Sequence, residues 1–232
     1  MNIWQKLTDK PWLAQPEGMD PALLQNPQQY WPERTALRFF MLTASVVFSL
    51  FVMTMLGRSQ LPDFHALAGE PWLPLSQPGQ LWWNSGMLLL GSISLHSALV
   101  LMRRNKQQMA LIAVVVGWLL TLLFLVAQYQ VWQQLAFAGF GFTSNPASNY
   151  FYLLSAVHGV HLLGGLIAIS TVLHLLWQQQ SAETITGRLS LCVTYSHFML
   201  VVWLLLFALL TSPASTIDTL AALCGFSGGG YD

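Results

Sequence analysis

The sequence predicts an all-α polytopic membrane protein, a bundle of five transmembrane helices with its N-terminus cytoplasmic and its C-terminus outside. Three observations carry that prediction. Of 232 residues, 54% are hydrophobic and only 8% charged, where a soluble domain carries about a quarter charged residues. Five separate runs are long enough to cross a hydrocarbon core about 30 Å thick at about 1.5 Å per residue. Lysines and arginines also cluster at alternate ends of those runs, as the positive-inside rule requires.

The polar, Pro-rich segment 1–35 precedes the first run and lacks the basic start and adjacent apolar region of a secretory signal, so it reads as a cytoplasmic tail. The transmembrane domain is 36–211, with spans at about 36–56, 82–102, 109–130, 150–177 and 188–211. Residues 212–232 are rich in Ser, Thr and Gly and read as a flexible C-terminal tail. Helices satisfy backbone polar groups within one segment, which is why five apolar runs imply an all-α bundle. Lys6, Lys10, Arg34 and Arg38 flank the first span on its N-terminal side, Arg103, Arg104 and Lys106 follow the second, and Arg188 opens the fifth. Arg58 alone falls on the opposite side. Trp82, Trp83, Trp132 and Trp177 lie at span ends, where indole favours the headgroup level. Trp118 and Trp203 lie deeper and read as packing residues.

The formal net charge is zero, which gives no electrostatic case for nucleic acid. Cys192 and Cys224 form no CxxC or haem-attachment pattern. No phosphate loop, HExxH or GxSxG motif is present.

No Asp or Glu falls within a span, so the intramembrane ionisable groups are His96, His158, His161, His174 and His197. Such groups are functional candidates with a partner nearby. At about 100° per residue, Ser155, His158, His161 and Gly165 share one stripe, while His174 points the opposite way. Small residues allow another helix to approach, and polar side chains then bond across the contact. One reading makes the two imidazoles polar packing in that seam. The other is a haem b held by His161 and His197, with His96 nearby. His161 lies about 16 Å from the outer end of span four and His197 about 17 Å from the outer end of span five, so the depths match. The glycine face favours close helix contact over a porphyrin-sized gap, and no third or fourth metal ligand is available in the spans.

The stretch "NYFYLLSAVHGVHLLGGLIAI" resembles the fourth helix of the short, five-helix form of haem-copper oxidase subunit III, with His158, Gly159, His161, Gly164 and Gly165 at the motif positions. "YSHFMLVVWLLLFALL" resembles that family's last helix through Tyr195, His197, Phe198, Val201, Val202 and Trp203. Asn84 and Ser92 fit the second-helix pattern, and Gly117, Gln128 and Trp132 the third. The likeness covers most of 36–211.

The resemblance implies a non-catalytic subunit III of a proton-translocating cytochrome c or quinol oxidase. Such a subunit stabilises the catalytic subunit of the respiratory chain complex, sits in a bacterial inner membrane as a multi-pass protein and binds phospholipid. Subunit I is implied as the main partner and subunit II as a second, with haem and copper in those partners and none in this chain. An accessory subunit of a nitric oxide reductase is the alternative within the family. The implied packing or lipid-contact residues are Ser155, His158, Gly159, His161, Gly164, Gly165, Tyr195, His197, Trp203, Asn84 and Gln128, with no catalytic residue and no metal ligand. Three carboxylates common in the family are replaced here, by Ala44 or Ser45 in the first span, Val131 at the third and Leu200 in the last. A part in proton uptake is therefore not implied.

Overall fold

A computed structural model describes residues 31–69, 74–75, 79–142 and 144–226. Among them are six helices and no strand: α1 (Trp31–Arg58), α2 (Gly79–Arg103), α3 (Gln107–Phe137), α4 (Pro146–Trp177), α5 (Ala182–Leu210) and α6 (Ala214–Leu223). The first five are long and apolar enough to cross a membrane. The all-helical, five-span prediction therefore holds.

Helix ends follow local chemistry. Asn145 caps α4 by accepting from the Ala147 N–H at 3.1 Å, with Pro146 in the first turn, where its missing N–H costs nothing. Ser181 caps α5 through the Thr184 N–H. Three spans end in the same backbone device, a left-handed residue flanked by two reaching amides. In α2, Asn105 (φ 58°) donates to Met102 O and Lys106 to Leu101 O, both at 3.0 Å. Gln179 (φ 52°) and Gln180 close α4 in the same way on Leu176 and Leu175. Gly139 (φ 90°) and Phe140 do so for α3 on Ala136 and Leu135.

Four of the helices form a closed ring, α2 on α3, α3 on α4, α4 on α5 and α5 back on α2. The α2–α3 hairpin is the closest pair. At Gly117 an added Cβ would lie 2.7 Å from Leu95 Cγ and 3.1 Å from Gly91 O, so only glycine admits this approach. α1 leans on the outside of the ring against α4 and α5, with α6 across its C-terminal end. It enters the core through Ala44, Phe48, Met55 and Leu56. One apolar cluster gathers Phe48, Met55 and Leu56 with Leu88, Phe124, Phe151, Met199, Trp203 and the α6 residues Ile217 and Ala221. A second fills the other end of the ring around Leu95, Val114, Val172 and Leu189.

Three sequence expectations need correction. Residues 214–223 do not form a flexible tail; they make α6, because Ile217 and Ala221, four residues apart, bury one face. The first helix begins at Trp31 inside the expected tail. Trp132 does not sit at the span's edge either, since α3 runs on to Phe137 and turns that indole inward. By contrast Trp82, Trp83 and Trp177 are exposed. The tail before residue 31 and the end after 226 lie outside the described residues.

Candidate functional site: the histidine seam between helices

The stripe on α4 faces two neighbours. Ser155 receives the Trp132 Nε1–H of α3 at 3.0 Å and donates to Phe151 O of its own helix. His158 is fully buried, and its Nε2 lies 3.1 Å from Met199 O of α5. A carbonyl only accepts, so Nε2 carries the proton, and the opposite nitrogen, Nδ1, has no partner. The imidazole sits in an aromatic box built by three other helices. Phe48 (α1) and Phe124 (α3) meet it edge-on at 6.5 and 5.9 Å between centroids, and Trp203 (α5) lies tilted at 5.2 Å.

His161 is half-buried and turns to α1, with Phe48 at 5.4 Å and Phe40 at 5.9 Å. Its Nδ1–H donates to Val157 O at 2.7 Å within the helix, while its own carbonyl accepts the Tyr195 hydroxyl at 2.9 Å. One turn on, an added Cβ at Gly165 would come within 3.1 Å of the Tyr195 ring, so the glycine seats that ring. Gly159 faces Leu125 of α3, whereas Gly164 is exposed, with nothing within 4 Å.

His197 belongs to a different contact. Its Nδ1 shares a 2.7 Å hydrogen bond with Ser92 Oγ of α2, and its Nε2 lies 3.3 Å from His96 Nδ1. The candidate haem pair is thus not a facing pair: His161 addresses α1 and His197 addresses α2. Between α4 and α5 the Tyr195–Gly165 contact closes the gap a porphyrin would need. His174 is exposed on the other face, beside Gln178 at 2.8 Å. Among the described residues no three His, Cys, Asp or Glu side chains converge as a metal centre requires.

A second polar knot holds α2, α3 and α5. Trp203 Nε1–H donates to Ser85 Oγ at 2.9 Å, and Asn84 Nδ2 donates to Gln128 Oε1 at 3.2 Å, all four residues being buried. Gln128 Nε2 is left without an acceptor. Ala44, Val131 and Leu200, where the family resemblance implies carboxylates, are apolar side chains that are all buried here. Ser45, half-buried beside Ala44, donates to Met41 O within its own helix. Sequence reasoning missed the Ser92–His197–His96 chain and the Gly91–Gly117 contact. The first could have been sought by asking which helix supplies a hydroxyl to His197, and the second from glycines near mid-span in both helices of a hairpin.

Among the described residues no metal centre accompanies these contacts; what they do is fasten helices to one another. The same residues coincide with the matched part of known proteins. The sequence pattern described as cytochrome c oxidase subunit III matches residues 33–212. The chain belongs to the cytochrome c oxidase subunit III family. Cytochrome c oxidase subunit 3 of Synechocystis sp. is 30% identical over 179 residues, covering 73% of this chain and 71% of that protein. Cytochrome bo(3) ubiquinol oxidase subunit 3 of Buchnera aphidicola subsp. Acyrthosiphon pisum is 26% identical over 121 residues, 52% of this chain and 59% of that protein. Cytochrome c oxidase subunit 3 of Thermostichus vulcanus is 33% identical over 86 residues, 35% of this chain and 40% of that protein. The matched stretch takes in α1 from Glu33 onward and all of α2 to α5, and the short helix α6 lies beyond it.

Proposed function

We propose that the chain is a non-catalytic subunit III of a respiratory haem-copper oxidase in a bacterial inner membrane. It packs on the haem- and copper-bearing subunits I and II, stabilises the catalytic subunit and holds phospholipid. The family match over 33–212 carries this reading. The seam agrees with it, because Ser155, His158 and His161 each bond a neighbouring helix or their own backbone. In this role Ser155, His158, Gly159, His161, Gly165, Tyr195, His197, Trp203, Asn84 and Gln128 are packing residues, and Gly164 faces lipid or a partner subunit.

Affinity isolation of the tagged chain from native membranes tests the proposal. The expected product is a complex with haem and copper in its other subunits, while the chain expressed alone is colourless. Stoichiometric haem b in the lone chain, lost in His161→Ala or His197→Ala, would overturn it.

A further inference from the structure

The short helix α6 has three faces. Ile217 and Ala221 lie on one and are its two buried side chains. Ser215, Asp218, Thr219 and Ala222 share a second, where Gln60 Nε2 reaches Asp218 at 3.4 Å. At about 100° per residue, Thr216, Leu220 and Leu223 fall within about 60° of one another on the third. That third face is exposed among the described residues, Leu223 at 79%. One buried and one polar face account for a helix lying on a protein in water. An additional apolar face calls for a further neighbour.

The position of α6 identifies that neighbour. An apolar furrow of about 710 Å³ runs between α1 and α5, and Met53, Val201 and Leu205 on its walls belong to the exposed faces of those spans. Thr216 and Leu220 line the same furrow. Met53 lies five residues before the end of α1 and Leu205 five before the end of α5, which is about 7 Å of helix rise. The third face of α6 therefore starts below the ends of the two spans, at a depth where their own apolar side chains face outward. Only Thr211, Ser212 and Pro213 join α5 to α6, a reach of about 10 Å at most. At its other end Phe226 covers Gly57 of α1, so the helix is held at that level from both sides. An apolar stripe continuous with the outward faces of the spans, at their very edge, fits a lipid surface. α6 carries no Lys or Arg and its one charge is Asp218, so the contact is apolar and owes nothing to anionic headgroups.

We propose that α6 is an interfacial helix, with its Thr216, Leu220 and Leu223 face set in the bilayer boundary on the Arg58 side and its Ser215 and Asp218 face in water. The family match ends at Ser212, so this contact belongs to the segment that follows it. Through α6 the membrane surface braces α1, the outermost span. The proposal needs the five spans in a membrane and does not depend on the oxidase partners.

The test uses the tagged chain within its complex in open membrane fragments, where water reaches both sides. In a Cys224→Ser background, with Cys192 buried, Ala222→Cys and Leu223→Cys are treated with a charged maleimide, and labelling is read on the isolated chain. Ala222→Cys should label to completion while Leu223→Cys stays unlabelled over the same time. Salt at about 1 M should leave that protection unchanged, since the contact is apolar. Equal labelling of the two, or protection lost in salt, would overturn the proposal. Leu220→Cys repeats the protected arm should Leu223→Cys loosen the helix. A photoreactive benzophenone side chain in place of Leu223 then separates lipid from protein as the covering surface. The expected product is a phospholipid adduct of the chain, seen by mass spectrometry. A crosslink to this chain's own end or to a partner subunit would overturn the proposal. A crosslink to a haem- or copper-bearing subunit would do so while supporting the accessory-subunit reading, so the two stand or fall separately.

Discussion

At Gly117 the space for a side chain is already taken, and at Gly164 it is empty, so two glycines in neighbouring helices make opposite predictions. Gly117→Ala must push Leu95 aside and meets Gly91 O at 3.1 Å, at a cost of about 1–3 kcal/mol. Gly164→Ala meets nothing within 4 Å and should be neutral or gain a few tenths of a kcal/mol from helix propensity. Thermal midpoints of the detergent-solubilised chain compare the two, and equal losses would contradict the packing described. Asn84 and Gln128 form the other residue-scale case. Asn84→Leu strips Gln128 of its remaining partner and leaves a buried amide wholly unpaired, costing about 1–3 kcal/mol. The double variant Asn84→Leu/Gln128→Leu should recover part of that loss, because removing both partners removes the desolvation cost as well. A double-mutant cycle with no coupling would show that the pair does not bond.

At the scale of the element, α6 matters most because α1 has so little else to hold it. Ala221 is fully buried and Ile217 nearly so, while the Phe226 ring covers Gly57 of α1, where an added Cβ would lie 3.3 Å from it. Gln60 reaches Asp218 at 3.4 Å. Ala221→Glu places a charge in that contact and should loosen the whole corner, read as faster trypsin cleavage after Arg58. The 58–63 turn is fastened separately, by two hydrogen bonds from the Arg58 guanidinium to Asp63, one of them 2.6 Å. These bonds hold the Asp63 carboxyl below the ordinary carboxylate value. Its contribution is therefore present above an unfolded value of about 3.9 and is lost as pH falls through the lower folded value. The pair is exposed, so the effect is small and screened by salt. Asp63→Asn should cleave after Arg58 at neutral pH as fast as the unaltered chain does once its salt is raised to about 1 M. α6 also marks the limit of sequence reading. The five spans are legible because twenty consecutive apolar residues have few alternatives. A ten-residue helix in a Ser- and Thr-rich segment has no such length signal, and its burial depends on a groove that α1 and α5 create together.

Across the whole molecule, the α4 periodicity makes the shared face of Ser155, His158, His161 and Gly165 legible, but not what that face meets. His158 takes a backbone carbonyl from Met199, and carbonyls leave no trace in a sequence. Its box draws Phe48, Phe124 and Trp203 from three helices that are far apart in the sequence, a juxtaposition set by the packing of the bundle. That position has a consequence for the intact complex. His158 joins the peripheral α1 to the four-helix ring, so weakening it should lower the amount of complex that survives purification rather than the rate of what survives. Replacing its single interhelical hydrogen bond costs only about 0.6 kcal/mol on average in membranes, and His158→Gln retains a donor of similar reach. His158→Ala empties the aromatic box as well, adding a cavity term of about 2–4 kcal/mol. The expected order of yield is therefore unaltered, then Gln, then Ala, with oxygen turnover per haem nearly constant across all three. His161→Gln should behave like His158→Gln, since its ring packs on Phe40 and Phe48 and bonds only its own helix. A fall in turnover per haem in a fully assembled His158→Gln complex would show that the imidazole acts on the reaction, because loss of packing removes complexes without slowing those that remain.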